Sequence, residues 1–285
     1  MIEKETYLQK LDQIKEIPTL PIILSKINRM LGDNDTTIRK LSRVIESDQA
    51  IAARILKLVN SAFYGFRSKI SNIPHALVIL GFNSIRNAIV SVSVLNAFSG
   101  EQGRKFDSKD FWKHSVAVAV ISKYLAGKTR LVPPDDSFVA GLLHDIGKIL
   151  IAQYFRETFH QILDTIREEG LSFYQAEKKR VPFTHAQIGG YLAQKWQFPQ
   201  SLVEAIEYHH SATKRGADPG LLLIVYFADQ IAHNGAAVCE IDSQLCSTFP
   251  EILQILSPHL ERVAEWFPFA AAEVDSACKF FLQEE

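Results

Sequence analysis

The sequence predicts an all-α protein on the strength of three features. Apolar residues recur three and four positions apart through most of the 285 residues, the spacing that collects them on one helix face. No sustained apolar–polar alternation is flanked by Asn-Gly or Asp-Gly, so hairpins are not indicated. No segment repeats with a period of roughly 20–50 residues and no tract has low complexity, which argues against a solenoid.

The elements follow in chain order. "TIRKLSRVIES" sets Ile38, Leu41, Val44 and Ile45 on one stripe, with Asp35 or Thr36 as N-cap. "QAIAARILKLVNSAF" repeats the pattern through Ile51, Ile55, Leu58, Val59 and Ala62 after a cap at Asp48. "SIRNAIVSVSVLNAF" reads as a helix after Asn83, although its β-branched run would also suit a strand. The polar stretch "SGEQGRKFDS", residues 99–108, is the expected main linker. Helices are expected near 109–126, 137–154, 158–169, 183–196, 200–209, 219–234, 249–265 and 270–282. "VPPDD" separates the first two and offers Asp136 or Ser137 as a cap. The chain thus divides into an N-terminal helical half (1–100), a second helical half (101–235) and a C-terminal tail (236–285).

Composition narrows the class. Hydrophobic residues make up 47% and charged residues 22%, as in a globular protein with a well-packed core. A net charge of −1 gives no bulk grip on nucleic acid or anionic membrane. No basic stripe interleaved with aromatics appears, so a nucleic-acid partner is not expected. From residue 236 onward nine Asp or Glu stand against two Lys or Arg, as on a solvated acidic face. The start is too charged for a signal peptide, and no window approaches about 18 uninterrupted apolar residues, so no membrane association is expected. Cys239, Cys246 and Cys278 lack CxxC spacing, which suits reduced thiols and a cytoplasmic location.

One stretch conflicts with a plain core helix. In "GLLHDIGKIL", residues 141–150, a carboxylate sits among apolar residues, where an unpaired charge is expensive. The neighbouring His144 belongs to a series. "FWKHS" supplies His114, "FTHAQIGGYL" His185, "EYHHS" His209 and His210, and "YFADQIAHN" Asp229. Neutral imidazole and carboxylate are ligands for Zn, Fe and Mn, and a cation would compensate Asp145 directly. Asp110 precedes His114 by one turn, and Lys148 follows Asp145 by three, close enough to pair with a metal-bound oxyanion. A single interior histidine is more often a hydrogen-bonded core residue, but His-Asp and His-His doublets together are compositionally rare. His75, His160 and His259 fit no such pattern, and His233 shares the Asp229 face.

The ordered series H…HD…H…HH…D on helices resembles the HD superfamily of metal-dependent phosphohydrolases. That resemblance implies an HD-domain-like helical bundle, with His114, His144, Asp145 and Asp229 holding one metal. His185, His209 and His210 would serve further ions, with Asp110 where the HD-GYP branch carries a glutamate. Lys148 matches that branch's substrate-phosphate lysine. "LVNSAFYG" and "ALVILGFNSIRN" in the preceding helical subdomain are similar to HDOD proteins over residues 10–235, apart from Gln49 where proline is common. HDOD proteins are mostly bacterial signal-transduction output modules. After "YHH" comes "SATKRGADPG" rather than the GYP element, so the likeness does not extend to cyclic di-GMP hydrolysis.

The resemblance therefore implies a regulatory module that acts through a signalling partner or a nucleotide ligand. It would carry one to three divalent transition-metal ions (Fe, Mn or Zn). The alternative is a metal-dependent phosphohydrolase or phosphodiesterase acting on a nucleotide or cyclic dinucleotide, with Asp145 and Lys148 as its catalytic groups. "NSAFYGF" reads as core packing, although Asn60 and Ser61 could meet a partner if exposed.

Overall fold

The structure, a computed structural model, describes residues 26–98 apart from 28, 31, 32, 34, 62, 63 and 67, and residues 108–282 apart from 213–215, 238–240 and 242. Among the described residues every regular element is a helix and none is a strand, so the all-α expectation holds. The expected linker lies outside the described residues except for Ser108. These residues divide into two compact units, one made of 26–98 with 268–282 and the other of 108–267. The C-terminal tail is thus shared between them.

In the first of these units, α1 (Ile38–Glu46) is capped by Thr37, not by Asp35 or Thr36. Thr37 has the extended backbone a cap requires, and its hydroxyl accepts from the Lys40 amide at 3.3 Å. α2 (Gln49–Val59) starts under Asp48 as predicted, with its carboxylate accepting from Ile51 N at 3.0 Å. Asn60 closes α2. Its amide donates to the carbonyls of Leu56 and Ile70 (2.6 and 2.8 Å), and its Oδ1 accepts from Ile70 N at 2.8 Å. The side chain is a backbone clamp, and Asn60 itself is exposed.

α3 (Ile73–Ala97) begins under Asn72, eleven residues before the predicted Asn83 cap, and Asn72 accepts from His75 N at 2.8 Å. Gly81, at φ 80°, interrupts it with a conformation that other residues adopt at a cost. The β-branched run is helical because its side chains are buried: Ile85, Ile89 and Val94 are fully enclosed. Ile73–Leu95 is long and apolar enough to cross a bilayer, yet 56% of that window is buried within the protein. Tyr64, Phe280 and Phe281 pack against Leu58, Ala88 and Val92.

The second unit contains α4 (Ser108–Thr129), α5 (Pro134–Leu143), α6 (Ile146–Tyr154), α7 (Arg156–Glu169), α8 (Phe173–Arg180), α9 (His185–Lys195), α10 (Gln200–Tyr208) and α11 (Pro219–Asn234). They are followed by α12 (Ser243–Thr248), α13 (Pro250–Leu260) and the start of α14 (Val263–Phe281). α4 packs chiefly on α5 and α11, and α9 on α6 and α10. The predicted helix 137–154 is two helices interrupted at His144–Asp145, and Pro134 at N1 opens it in place of the expected Asp136 or Ser137 cap. α8 and α12 have no counterpart in the sequence expectation. The tail breaks at 261–262, and α14 then runs through Pro268. Trp266 stacks on Tyr124 at 4.6 Å and donates to the His259 carbonyl at 2.9 Å, fixing the start of α14 to α4.

Candidate metal centre

Apart from Asp110, each predicted histidine and aspartate reaches the centre from a helix or its end. α4 supplies His114, the α5–α6 break His144 and Asp145, the first residue of α9 His185, the end of α10 His209 and His210, and α11 Asp229. The break has a purpose: ending α5 at Leu143 lets adjacent residues His144 and Asp145 aim into one space. Gly147 makes a second approach possible. A Cβ there would collide with the His185 carbonyl, so only glycine lets α6 pass this close to the start of α9.

Two groups of ligand atoms result, each with its atoms within 4.8 Å of one another: His114, His144 and Asp229, and Asp145, His185, His209 and His210. Asp145 faces both. Its Oδ2 lies 3.3 Å from His144 Nε2 and 3.7 Å from His114 Nε2, and its Oδ1 lies 3.0 Å from His185 Nε2 and 3.6 Å from His209 Nε2. Asp229 Oδ1 lies 3.1 Å from His114 Nε2 and 3.5 Å from His144 Nε2. Ligands held about 2.0–2.2 Å from one ion stand roughly 3–4.4 Å apart, so these separations suit a cation at the centre of each group.

Hydrogen bonding outside the groups fixes which nitrogen faces in. Nδ1 of His144 lies 2.7 Å from the Gly141 carbonyl, and Nδ1 of His209 lies 2.7 Å from that of Ile206. A carbonyl cannot donate, so each Nδ1 carries a proton and each Nε2 is the atom turned inward, free to meet an ion once it is deprotonated. His185 uses a carboxylate for the same purpose: its Nδ1 is 2.7 Å from Glu177, which also accepts from the His185 amide at 2.8 Å. Inside, His185 Nε2 faces the Nε2 atoms of His209 and His210 at 3.3 and 3.1 Å. A cation among these nitrogens would satisfy all three.

Four buried atoms suit the same cation. His114 Nε2, His144 Nε2, Asp145 Oδ1 and Asp229 Oδ1 have no hydrogen-bond partner. Burial alone would raise the Asp145 and Asp229 carboxyls, but the facing imidazoles, joined by Lys148 at Asp145, hold both well below the usual range. Burial would depress His144, yet Asp145 and Asp229 by themselves lift it to about 10, so a bound ion would take the place of the Nε2 proton. His209 goes the other way, lowered to about 4 mainly by burial, and His210 is lowered still more. The residues fit bound metal.

One placement departs from expectation and two hold. Asp110 is exposed on the first turn of α4, about 6 Å along the axis from His114, and belongs to neither group. Lys148 pairs with Asp145 Oδ2 at 2.5 Å although no continuous helix joins them, because Asp145 is the N-cap of α6. Its ammonium lies over Phe173 at 5.2 Å. His233 contacts Asp229 Oδ1 at 3.2 Å, and its ring lies 4.4 Å from His114. Glu177, fully buried, is the functional candidate that sequence reasoning missed.

The family model for the HDOD domain matches residues 17–212. The chain belongs to the HDOD family. A crystallised HDOD protein of unknown function from Geobacter sulfurreducens is 28% identical, with a TM-score of 0.78 and 96% of each chain covered. A provisionally assigned phosphohydrolase from Shewanella amazonensis SB2B is 26% identical, with a TM-score of 0.72 and coverage of 95% and 97%. Among curated relatives, an uncharacterised Treponema pallidum (strain Nichols) protein is 28% identical over 218 residues, 74% of this HDOD chain and 42% of its own length. The Bacillus subtilis (strain 168) protein YuxH is 29% identical over 121 residues, 42% of this chain and 29% of its own. The chain spans less than half the length of both curated relatives.

Proposed function

We propose that this HDOD chain is a regulatory module whose 108–267 unit holds two divalent transition-metal ions and docks a phosphate-bearing ligand on them. His114, His144 and Asp229 would hold one ion and His185, His209 and His210 the other, with Asp145 shared. The observation that carries this is the inward-facing set of Nε2 and carboxylate atoms, four of them buried without a partner. Iron, manganese and zinc all suit imidazole with carboxylate. Elemental analysis of anaerobically purified protein should find about two ions per chain in the wild type and fewer than one in Asp145→Ala. Equal content in both, or none after reconstitution with iron, manganese and zinc, would reject it.

A hydrolytic reading is favoured by one observation: Lys148 brings an ammonium to the ligand carboxylate. The ions, when bound, would supply Lewis acidity and a nucleophilic hydroxide at neutral pH. Lys148 would then hold a substrate phosphate oxygen, Asp145 would orient the ion pair, and the buried walls would exclude bulk water. Bis-p-nitrophenyl phosphate turnover that disappears in Asp145→Ala, with helicity retained, supports hydrolysis. Turnover equal to that of the variant leaves the binding module alone.

A further inference from the structure

Beside the second ligand group lies a cavity of about 410 Å³, within the size range of small-molecule sites. Val181, Pro182 and Phe183 give it an apolar side. Tyr174 and Tyr208 add rings, Lys178, Thr184, Gln187 and Ser211 add donors, and Glu207, hydrogen-bonded by Tyr208, adds a carboxylate. Its wall is also the wall of the metal centre. The Tyr174 ring lies 4.5 Å from that of His210, tilted by 34°. The Lys178 ammonium stands 5.4 Å from the centre of the same tyrosine. Tyr208 and Ser211 immediately flank the His209–His210 pair in sequence.

Each feature limits the ligand. Aromatic walls favour a planar ring, which can stack on tyrosine. Lys178 beside Tyr174, among hydroxyl and amide donors, favours negative charge there, whereas Glu207 beside Tyr208 favours a ligand donor. The volume suits one ring system with a charged substituent. We propose that this cavity binds a small planar-ringed organic anion, stacked at Tyr174 and paired with Lys178, and that its occupancy is coupled to the second ion through the Tyr174–His210 contact. The coupling rests on the metal-binding reading above, whereas the cavity itself does not. Such a site would give the module an input of its own, since two ligands that share a wall change each other's affinity by the same factor.

Adenosine monophosphate is the probe, titrated calorimetrically into the metal-depleted full chain. The expected result is saturable one-to-one binding, weakened at least tenfold by Tyr174→Leu and by Lys178→Glu, the latter an exposed substitution that leaves the fold intact. No saturable binding at millimolar nucleotide, or equal affinity in both variants, overturns the proposal. Manganese titration with and without saturating nucleotide should then show the second ion's affinity changed at least threefold, and Tyr174→Leu should remove that change while keeping the ion count. An unchanged second-ion affinity overturns the coupling. Nucleotide binding at Tyr174 in a chain that takes up no ion would reject the metal centre and leave the cavity standing.

Discussion

Glu177 controls the second ligand group without entering it. Its carboxylate accepts from His185 Nδ1–H, which leaves Nε2 as the atom facing Asp145 at 3.0 Å. In Glu177→Gln the amide can donate to Nδ1, which moves the imidazole proton to Nε2 and opposes a cation there. Second-ion affinity should fall about 10–100-fold in a chelator competition, with the first ion retained. Nitrogen NMR of His185 would show the tautomer exchanged, and an unchanged tautomer would refute this role. The residue escaped sequence reasoning because it lies in "QAEKKR", whose charges look like a solvated face. The histidines and aspartates were legible for the opposite reason, since His-Asp and His-His doublets stand out from apolar surroundings. Asn60 shows the same limit. Nothing in "LVNSAF" reveals that its amide will clamp Ile70, and Asn60→Ala should lower chemical-denaturation stability by about 1–2 kcal/mol.

At the scale of elements, the long apolar helices were readable and the devices that join them were not. α8 was missed because its eight residues carry little apolar periodicity, yet Ser172 and Gln175 form a capping box, as do Thr184 and Gln187 on α9. That S/T-x-x-Q spacing was the available signal. The split between α5 and α6 left no such trace, because the apolar pattern runs straight through "GLLHDIGKIL". Gly147 gives the junction a sharp test. A methyl group there meets the His185 carbonyl, so α6 and α9 must separate in Gly147→Ala. The expected cost is about 1–3 kcal/mol by chemical denaturation, as for overpacking. Because Asp145 and His185 ride on those two helices, the second ion should also bind more weakly. Full stability together with full metal affinity would show that the close approach does not position the site.

For the molecule as a whole, the division into two units and the placement of all seven ligands in one of them make stability separable. Trp112, Trp196 and Trp266 all fall within residues 108–267, so tryptophan fluorescence reports on the metal-site unit alone. Far-UV dichroism reports on the helices of both. An ion that binds only the folded state stabilises it by RT ln(1 + [L]/Kd), about 2.7 kcal/mol at a hundredfold excess over Kd. For a unit of this size that corresponds to roughly 5–10 °C in melting temperature. Manganese should therefore raise the fluorescence midpoint by that amount, and a chelator should reverse it. The dichroism curve should resolve a second transition, from residues 26–98 with 268–282, whose midpoint stays where it was. If both signals move together, the units unfold as one cooperative block. If neither moves in the presence of bound metal, the ions are not held by the folded His-Asp set.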